Sequence, residues 1–403
     1  MVEFLTSQLG VSIILAVIVL GVLLGAVAYC IWGERKVAGW VQDRFGPNRV
    51  GPRGFFQSIA DGGKLAFKED IIPGHVEKPL FVLAPTLLFI VAFIGFAAIP
   101  WGGQLRLGDK LVNIQVANPD IGLLYILGVG GMSVYGIVLG GWASNNKYSF
   151  FGGIRATAQM LSYEIPMGVC IVVIVLTMGT LRLEEITLHQ AGHWWGFWPK
   201  WNIFLHPVAF LILIITALAE SNRAPFDLAE AEQELVQGYH TEYSALKFGM
   251  FFLGEYAHMI TASALISVLF LGGWHFPWIP WTQPAATGWF AVICKMLVMA
   301  GKVTFFIFLM MWLRWTLPRF RFDQLMRMAW KGLIPISLGL FVVATVLLYF
   351  NRHATIWALV GNVAVVAITL FTASRSGVRV TGRQANMPEI PSASGGTVGA
   401  MKA

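Results

Sequence analysis

The chain has 403 residues, of which 57% are hydrophobic and only 12% are charged. A soluble domain carries about 25% charged residues, so the composition excludes an ordinary soluble protein and indicates a membrane bundle. The net charge of +7 would suit nucleic-acid binding, but the basic residues lie between apolar runs, where membrane proteins carry them. The three cysteines form no CxxC pair, which argues against a disulfide framework or a cysteine metal site.

Nine apolar runs predict membrane-spanning helices, each needing about 20 residues to cross a bilayer. The first run has no Lys or Arg before it, so we expect a retained helix rather than a signal peptide. The fourth helix must begin near Thr157, which draws Glu164 into the membrane. The predicted spans are residues 10–32, 80–100, 121–142, 157–180, 203–220, 248–271, 288–313, 334–350 and 354–373.

The distribution of Lys and Arg predicts the orientation of these spans. Loops after the odd-numbered spans carry 17 basic residues and the opposite loops carry 5. Cytoplasmic loops are the basic ones, so the N-terminus should lie outside and the C-terminus inside. We therefore predict an all-α integral membrane protein with nine transmembrane helices, ending in a disordered cytoplasmic tail over 376–403.

The first cytoplasmic loop, residues 33–79, predicts a helix that lies on the membrane surface between spans 1 and 2. Phe56, Ile59, Gly63 and Phe67 recur at helical spacing with charged residues between them, a pattern typical of an interfacial amphipathic helix. A solvated basic loop is the alternative.

The loop after span 5, residues 220–247, is strongly acidic although it lies on the predicted basic side. Glu230 and Glu234 would share a helical face, where like charges repel each other. Such a cluster needs protons, water or a partner. The alternative is an exposed acidic loop that docks onto a basic partner.

Three glutamates and two lysines fall within the predicted spans, where charges are costly and indicate function. Glu164, Glu220 and Glu255 lie in the cytoplasmic halves of spans 4, 5 and 6, and Lys295 and Lys302 share a face of span 7. These groups suit a proton relay, and a structural buried pair is the alternative.

The loop after span 7 places Arg314, Arg319 and Arg321 beside aromatic residues. Arginine with Trp and Phe can hold a polar head group while the rings pack against it; ordinary membrane anchoring explains the pattern equally well. We expect His258 to be a hydrogen-bonded core residue. The sequence has no P-loop, GxGxxG or HExxH motif, so we expect nucleotide to bind elsewhere and no redox cofactor to be held by this chain.

Five segments in the predicted cytoplasmic loops and adjoining helices resemble one family, and the resemblance runs from about residue 12 to 350. It is the H subunit of bacterial respiratory complex I, called NADH dehydrogenase subunit 1 in mitochondria. The family usually stops near its eighth helix, and this longer chain is similar to actinobacterial members. The segments are ERKVAGWVQDRFGPNRVGP (34–52), ADGGKLAFKED (60–70), RATAQMLSYEIPM (155–167), ESNRAPFDLAEAEQELVQGYHTEYS (220–244) and RWTLPRFRFDQLM (314–326).

The resemblance implies a membrane domain over residues 1–350, an added helix over 351–375 and the tail. It also implies a quinone chamber closed by this subunit, with quinone as substrate and with FMN and iron–sulfur clusters in partner subunits. Residues matching the chamber are Arg44, Asp61, Arg223, Phe226, Arg314 and Arg319. Residues matching the family's proton-coupling chain are Glu164, Glu220, Glu230, Glu232, Glu234, Glu242, Glu255 and Lys302. Lys295 matches no family position.

The preferred interpretation is a membrane subunit of a proton-translocating NADH:quinone oxidoreductase in a bacterial plasma membrane. Its expected partners are the iron–sulfur and quinone-site subunits of the peripheral arm and the small and antiporter-like membrane subunits. The alternatives are the homologous subunit of an energy-converting hydrogenase, a stand-alone ion antiporter and a passive anchor for a soluble enzyme.

Overall fold

The computed structural model describes residues 7–194, 198–228, 232–350 and 356–375, and most of that chain is helical, which confirms the predicted all-α fold. A π-helical turn, Ala329–Leu333, joins two of the helices. The helices are α1 (Gln8–Val41), α2 (Gln57–Phe67), α3 (Lys78–Ile94), α4 (Gly122–Ala143), α5 (Lys147–Met178), α6 (Leu183–His189), α7 (Asn202–Leu205), α8 (Pro207–Glu220), α9 (Glu232–Leu235), α10 (Ala245–Leu271), α11 (Trp289–Thr316), α12 (Phe322–Met328), α13 (Ile334–Tyr349) and α14 (Ile356–Arg375).

Two small antiparallel hairpins interrupt the helices in the described chain. Strands β1 (Gln104–Leu107) and β2 (Lys110–Asn113) pair with Gln104 opposite Asn113. Strands β3 (His193–Trp194) and β4 (Trp198–Pro199) form the second hairpin. Both follow one helix and precede the next, so they serve as connections.

Within the described ranges, seven helices are long and apolar enough to cross a membrane. They are α1, α3 with the 3₁₀ turn after it, α4, α5, α10, α11, and α12 with α13. The shorter apolar helices α8 and α14 fall on the predicted fifth and ninth spans. The chain is therefore a membrane protein, while the count of nine spans and the orientation stay predictions.

Two helices extend well beyond their predicted apolar spans. Helix α1 continues to Val41, so Glu34 belongs to the helix and not to the loop that was predicted to follow residue 32. Helix α5 begins at Lys147, ten residues before Thr157, where Asn146 caps it by accepting a bond from the Tyr148 N–H at 3.0 Å. Hydropathy detects only the part of a helix that lies in hydrocarbon, which explains both differences.

The fifth predicted span is broken into two helices. Pro207 has no backbone N–H to donate and starts α8, while His206 before it is non-helical, with φ −129° and ψ 59°. The 14 residues of α8 rise only roughly 21 Å, less than the ~30 Å hydrocarbon core. The Leu205 carbonyl freed by the break accepts a bond from Asn362 of α14 at 3.1 Å.

Helix α14 packs against α13 through two reciprocal glycine contacts. A Cβ at Gly361 would stand 2.4 Å from Val343, and one at Gly339 would stand 2.9 Å from Val365. Only glycine allows this approach, so the added helix is fitted closely to the body of the protein. The predicted turn at 351–353 and the tail over 376–403 lie outside the described residues.

The helices differ sharply in how much of their apolar surface the protein covers. In the most apolar stretch of each helix, 83% of the residues of α10 are buried, against 11% in α1. Helix α10 is therefore the centre of the bundle, and α1 lies at its rim.

A helix, α2, forms where the surface helix is predicted, and it is attached to α1. The Ser58 hydroxyl donates to the Ala28 carbonyl at 2.7 Å, and Phe55 just before the helix stacks on Tyr29 at 4.7 Å. Ile59 and Phe67 are 63% and 94% exposed. Exposed apolar side chains beside lysines suit a helix at a membrane surface, which stays a prediction for α2.

Candidate functional site

Four charged side chains from distant parts of the chain meet in a buried hub. We define the hub as Glu34 on α1, Arg223 after α8, Glu255 on α10 and Arg314 on α11. Glu34, Arg223 and Glu255 are each less than a tenth exposed. Arg314 contacts one oxygen of Glu34, and Arg223 lies 3.8 Å from the other.

Arg223 is the centre of the hub. Its guanidinium lies 3.3 Å from Glu255 and 4.0 Å above the Tyr256 ring. The Tyr256 hydroxyl donates to Glu34 at 2.6 Å, and the Tyr239 hydroxyl donates to Glu255 at 2.7 Å. Two carboxylates balance two guanidinium groups, which is the condition under which buried charges are tolerated.

A cavity of about 260 Å³ opens against the hub. Three of the predicted chamber residues, Arg44, Arg223 and Arg314, line it together with Glu34. Arg35 also lines it and bonds Asp61, another predicted residue, at 2.6 Å. Three of the six predicted chamber residues thus line one small cavity, and Asp61 contacts its lining residue Arg35.

The other two predicted chamber residues form an adjacent cluster. Arg319 bonds Asp227 at 3.1 Å. Phe226 is buried and lies with its ring centre 5.7 Å from those of both Tyr163 and Phe320. This cluster holds the loop after α8, which carries Arg223, against α5 and the segment that precedes α12.

A larger cavity of about 900 Å³ follows α1 on its other side. Its lining runs from Leu15 to Trp40 on α1, a length of roughly 38 Å at 1.5 Å per residue. Helix α11 forms the opposite wall, and the lining is almost wholly apolar. Lys36 and Arg53 lie at the end nearer the hub, and the loop around Trp101 forms the far end.

Three ionisable residues continue from the hub into the bundle. His258 stands one helical turn after Glu255 on α10, and its Nε2 lies 3.3 Å from Glu220 at the end of α8. Glu164 of α5 is close enough to interact electrostatically with both Glu220 and His258. The fold therefore brings Glu164 and Glu220 together around His258, and Glu255 lies one turn away on α10.

Gly131 of α4 makes room for the Glu164 carboxylate, and Gly130 beside it lies at ordinary contact distance from Glu220. A Cβ at Gly131 would stand 2.8 Å from an oxygen of Glu164, and one at Gly130 would stand 3.7 Å from Glu220. By contrast, a Cβ at Gly128 would meet nothing within 4 Å.

Two later acidic residues of the 220–247 loop, Glu234 and Glu242, pair with other parts of the chain. Glu234 bonds Arg155 at 2.6 Å and is 55% exposed, and Glu242 accepts a bond from Asn146 at 2.7 Å. The backbone of Glu232 starts α9, but its side chain and the whole of Glu230 lie outside the described residues.

The two lysines of α11 lie at the end of the bundle away from the hub. Lys302 donates to the carbonyls of Leu271, Gly273 and His275 at 2.6 to 2.8 Å. Lys295 donates to the Ala286 carbonyl at 2.7 Å and lies 4.6 Å over Trp274. Lys302 thus caps the end of α10 and does not lie beside Glu164, Glu220 or Glu255.

Two titratable groups near these lysines, His275 in the loop after α10 and Glu184 on α6, have shifted pKa values. Burial, together with the positive charges of Lys302, His193 and Lys295, lowers the pKa of His275 to about 4. Burial and the neighbouring Glu185 raise the pKa of Glu184, while Lys295 and Arg182 oppose that rise.

Sequence reasoning missed Glu34, Tyr239 and Tyr256 as site residues. It predicted His258 as a hydrogen-bonded core residue, and the structure places this histidine against Glu220. A signal for Glu34 was present. Val27 is buried on α1 and Glu34 follows it by seven residues, so a continued helix places both on one face. No comparable local signal marks the two tyrosines, whose partners come from other elements. Among the described residues, no three His, Cys, Asp or Glu side chains are grouped as metal ligands would be.

The sequence matches the model of the NADH dehydrogenase family over residues 14–345. It is 49% identical to the H subunit of the NADH-quinone oxidoreductase of Leptospira biflexa over 338 residues, which cover 81% of this chain and 91% of that protein.

The sequence is similarly identical to H subunits from two other bacteria. The corresponding H subunit 2 of Koribacter versatilis is 47% identical, covering 82% of this chain and 94% of its own. The H subunit of Flavobacterium psychrophilum is 45% identical, over 84% of this chain and 97% of that protein. The matched region carries the hub, both cavities and the line of glutamates, and the chain belongs to the NADH dehydrogenase family as the H-type membrane subunit of NADH:quinone oxidoreductase.

Proposed function

We propose that the chain forms the membrane side of the quinone-binding chamber and couples quinone reduction to proton translocation. The observation that carries the proposal is the pairing of two cavities on the same stretch of α1. One is long and apolar, and the other is small and lined by Arg44, Arg223 and Arg314. A quinone has the same two parts, an apolar tail and a ring whose oxygens accept hydrogen bonds.

The tail lies in the long cavity between α1 and α11. Binding sites for apolar groups are lined by apolar side chains with a few polar groups that set orientation, and this cavity has that character. The ring lies toward the end of α1 that carries the hub, where guanidinium groups stabilise the negative charge that develops on its oxygens during reduction.

The hub passes the resulting charge change to the glutamates. Arg223 is shared between Glu34 and Glu255, so a new negative charge near Arg223 weakens its hold on both carboxylates. Glu255 stands one turn from His258, which contacts Glu220. Crowded carboxylates exchange protons as a coupled set, so a change at the hub shifts protons along this line.

The wider assignments follow from the same proposal. Quinone is the substrate, and flavin and iron–sulfur clusters reside in partner subunits of the peripheral arm. The N-terminus lies outside a bacterial plasma membrane and the C-terminus inside. Residues 1–350 form the family's membrane domain, residues 351–375 add a helix, and a cytoplasmic tail follows.

The hub is tested by Arg314→Ala in the intact complex. We expect quinone reductase activity to fall at least tenfold while NADH oxidation by a soluble artificial acceptor persists. Arg321→Ala is the matched control, because Arg321 is 70% exposed and pairs only with neighbouring Asp323 among the described residues. An equal loss of both activities with the complex intact would place the quinone site elsewhere.

The apolar cavity is tested by filling it. Ala300→Phe adds a ring at the α11 wall and should raise KM for long-tailed quinones more than for short-tailed ones. Leu297→Phe, on the same helix but outside the lining, is the control. An unchanged KM for both quinones would show that the quinone tail does not bind in this cavity.

The coupling line is tested by Glu220→Gln and Glu255→Gln. Glutamine keeps the shape but not the charge, so assembly on native gels should be unchanged. Quinone-linked turnover and proton pumping in vesicles should both fall sharply. Full pumping by both variants would leave these glutamates with a structural role only.

A further inference from the structure

Two cations line the long cavity at the end nearer the hub and have no part in the quinone proposal. Lys36 of α1 is partly exposed, and Arg53, in the loop before α2, is exposed, so solvent or a ligand can reach both. Glu34 on α1 and Asp61 on α2 are held by other arginines, Arg314 and Arg35.

No carboxylate offsets these two charges at the cavity. Among the described residues, no Asp or Glu lines the cavity, and Lys36 and Arg53 form no ion pair with one. A passage that is otherwise almost wholly apolar therefore ends at two accessible positive charges. We call this end, with its two cations, the basic mouth.

Aromatic side chains connect the two cations. The Lys36 ammonium lies 5.7 Å from the centre of the Trp32 ring. Trp32 meets Phe55 edge to face at 6.1 Å, and Phe55 stands two residues after Arg53 and stacks on Tyr29 at 4.7 Å. All three rings line the cavity as well. The two cations thus flank one aromatic patch at the basic mouth.

The turn that presents Arg53 is fixed by the fold. The Phe55 and Phe56 N–H groups donate to the carbonyls of Pro52 and Val50 at 3.1 and 3.2 Å. Arg53 itself has φ 54° and ψ 29°, a left-handed conformation that is unfavourable for a residue with a side chain. Such conformations persist only where the surroundings impose them, and they recur at binding sites.

The rest of the cavity limits the shape of a ligand. A volume of about 900 Å³ spread along roughly 38 Å of helix leaves a passage about one extended chain wide. Apolar side chains such as Ile18, Val22 and Phe308 line it. A two-chain lipid could place only one of its chains there.

The charges select the head group of that chain. An anion is attracted by both cations, and this attraction depends on distance and not on a fixed bonding direction, so the flexible side chains of Lys36 and Arg53 can both contribute. A neutral head gains no such attraction, and a cationic head is repelled. The mouth and the passage together therefore fit an anionic head on a single apolar chain.

We propose that the basic mouth binds the carboxylate of a long-chain fatty acid at Lys36 and Arg53, with the hydrocarbon chain extended between α1 and α11 away from the hub. This binding does not depend on the quinone assignment. If the quinone tail also lies in the passage, the fatty acid and the quinone exclude each other, and this last step rests on the proposed function.

The test uses the purified complex in lipid nanodiscs and hexadecanoic acid that carries a photoactivatable diazirine in mid-chain. At pH 8, well above the ordinary pKa of a carboxyl group, we expect labelling of the cavity walls on α1 and α11, mapped by mass spectrometry. The corresponding methyl ester, which has no charge, should label the same peptides at least fivefold less. Equal labelling by acid and ester would overturn the proposal, and this comparison needs no variant.

A pair of double variants assigns the effect to the basic mouth. Lys36→Gln with Arg53→Gln should lower labelling by the acid at least fivefold. Lys64→Gln with Lys68→Gln removes the same charge from exposed positions at the end of α2 that do not line the cavity, and labelling should be unchanged. Equal loss in both double variants would overturn the proposal, because the surface charge as a whole would then explain it.

A third probe separates a fatty acid from an acidic membrane lipid with the same kind of head. Phosphatidylglycerol with the diazirine in one chain should label the cavity walls at least fivefold less than the acid, because its second chain has no place in the passage. Labelling as strong as that by the acid would overturn the choice of a single-chain ligand and assign the basic mouth to a membrane lipid.

Kinetics relates this site to the quinone proposal. Unlabelled hexadecanoate, below the concentration at which it forms micelles, should raise KM for a long-tailed quinone at least threefold and leave kcat unchanged. Acid-specific labelling without any competition would keep the fatty-acid site and reject the placement of the quinone tail. Competition by acid and ester alike would keep the tail placement and reject the fatty-acid site.

Discussion

The two ends of the bundle hold buried charges in opposite ways. At the hub, Glu34 and Glu255 pair with Arg223 and Arg314, so each charge is neutralised by another side chain. At the far end, Lys302 is held by three backbone carbonyls and Lys295 by one.

This difference separates a responsive site from a rigid one. Carboxylates can gain protons and guanidinium groups can exchange partners, so the hub can answer a change of charge at a bound quinone. Backbone carbonyls do not titrate, and here they belong to the end of α10 and the loop after it. The lysines therefore hold the end of α10 in place, and a proton relay is better sought among the glutamates near the hub.

The largest expected effect comes from breaking the hub with Glu34→Ala. Removing one partner of a buried pair costs about 3–5 kcal/mol because the remaining charge is left uncompensated. Here Arg314 loses its contact and Arg223 loses one of two. We expect quinone-linked activity below a tenth of the unaltered level and less assembled complex, measured in membranes and on native gels.

The exposed pair Arg35–Asp61 provides the matched control for the hub. Its side chains are 50% and 33% exposed, and such pairs contribute at most about 1 kcal/mol. Asp61→Asn should therefore leave assembly nearly unchanged. A similar loss of assembly in Asp61→Asn and Glu34→Ala would mean that burial of the hub is not what makes it important.

A moderate effect on coupling alone is expected from Gly131→Ala. The new methyl group would stand 2.8 Å from the Glu164 carboxylate and would displace that flexible side chain without disrupting the backbone. We expect pumping to fall a few-fold with assembly intact. Gly128→Ala, on the same helix with open space around it, should pump normally; equal pumping by both variants would show that the position of Glu164 does not matter.

A smaller effect on function is expected at the far end from Lys302→Met. Each carbonyl left without its donor costs about 1–3 kcal/mol if it stays buried, so the midpoint temperature of unfolding should fall. The ratio of protons pumped to electrons transferred should stay unchanged in the complex that assembles. A lower ratio of protons pumped to electrons transferred, at unchanged thermal stability, would show that Lys302 takes part in proton coupling.

The smallest effect is a dependence of stability on pH through His275. Its pKa is lowered to about 4 in the folded protein, against an ordinary value near 6.5. Between these values the unfolded chain binds a proton that the folded protein does not, so stability falls as the pH drops through this window. His275→Gln should flatten that fall, measured as midpoint temperature between pH 7 and 4.5; identical curves would exclude the contribution of His275.

The sequence by itself determined most of the membrane architecture. Apolar runs located a helix at each predicted span, and helical spacing of Phe56, Ile59, Gly63 and Phe67 located α2. These signals are local, because a helix forms its hydrogen bonds within one segment and buries one face. The motifs in the loops also selected residues that the fold brings together, among them Arg44, Arg223 and Arg314.

Only the tertiary structure decided which residues meet. Glu34, Arg223, Glu255 and Arg314 are separated by up to 280 residues along the chain, and no periodicity records that their side chains pair. The same holds for Lys302. Like Glu255 it is a charged residue in an apolar span, but in the structure it donates to backbone carbonyls at the far end of the bundle. Hydropathy measures the cost of burying a charge; the partner that offsets this cost is set by how the helices pack.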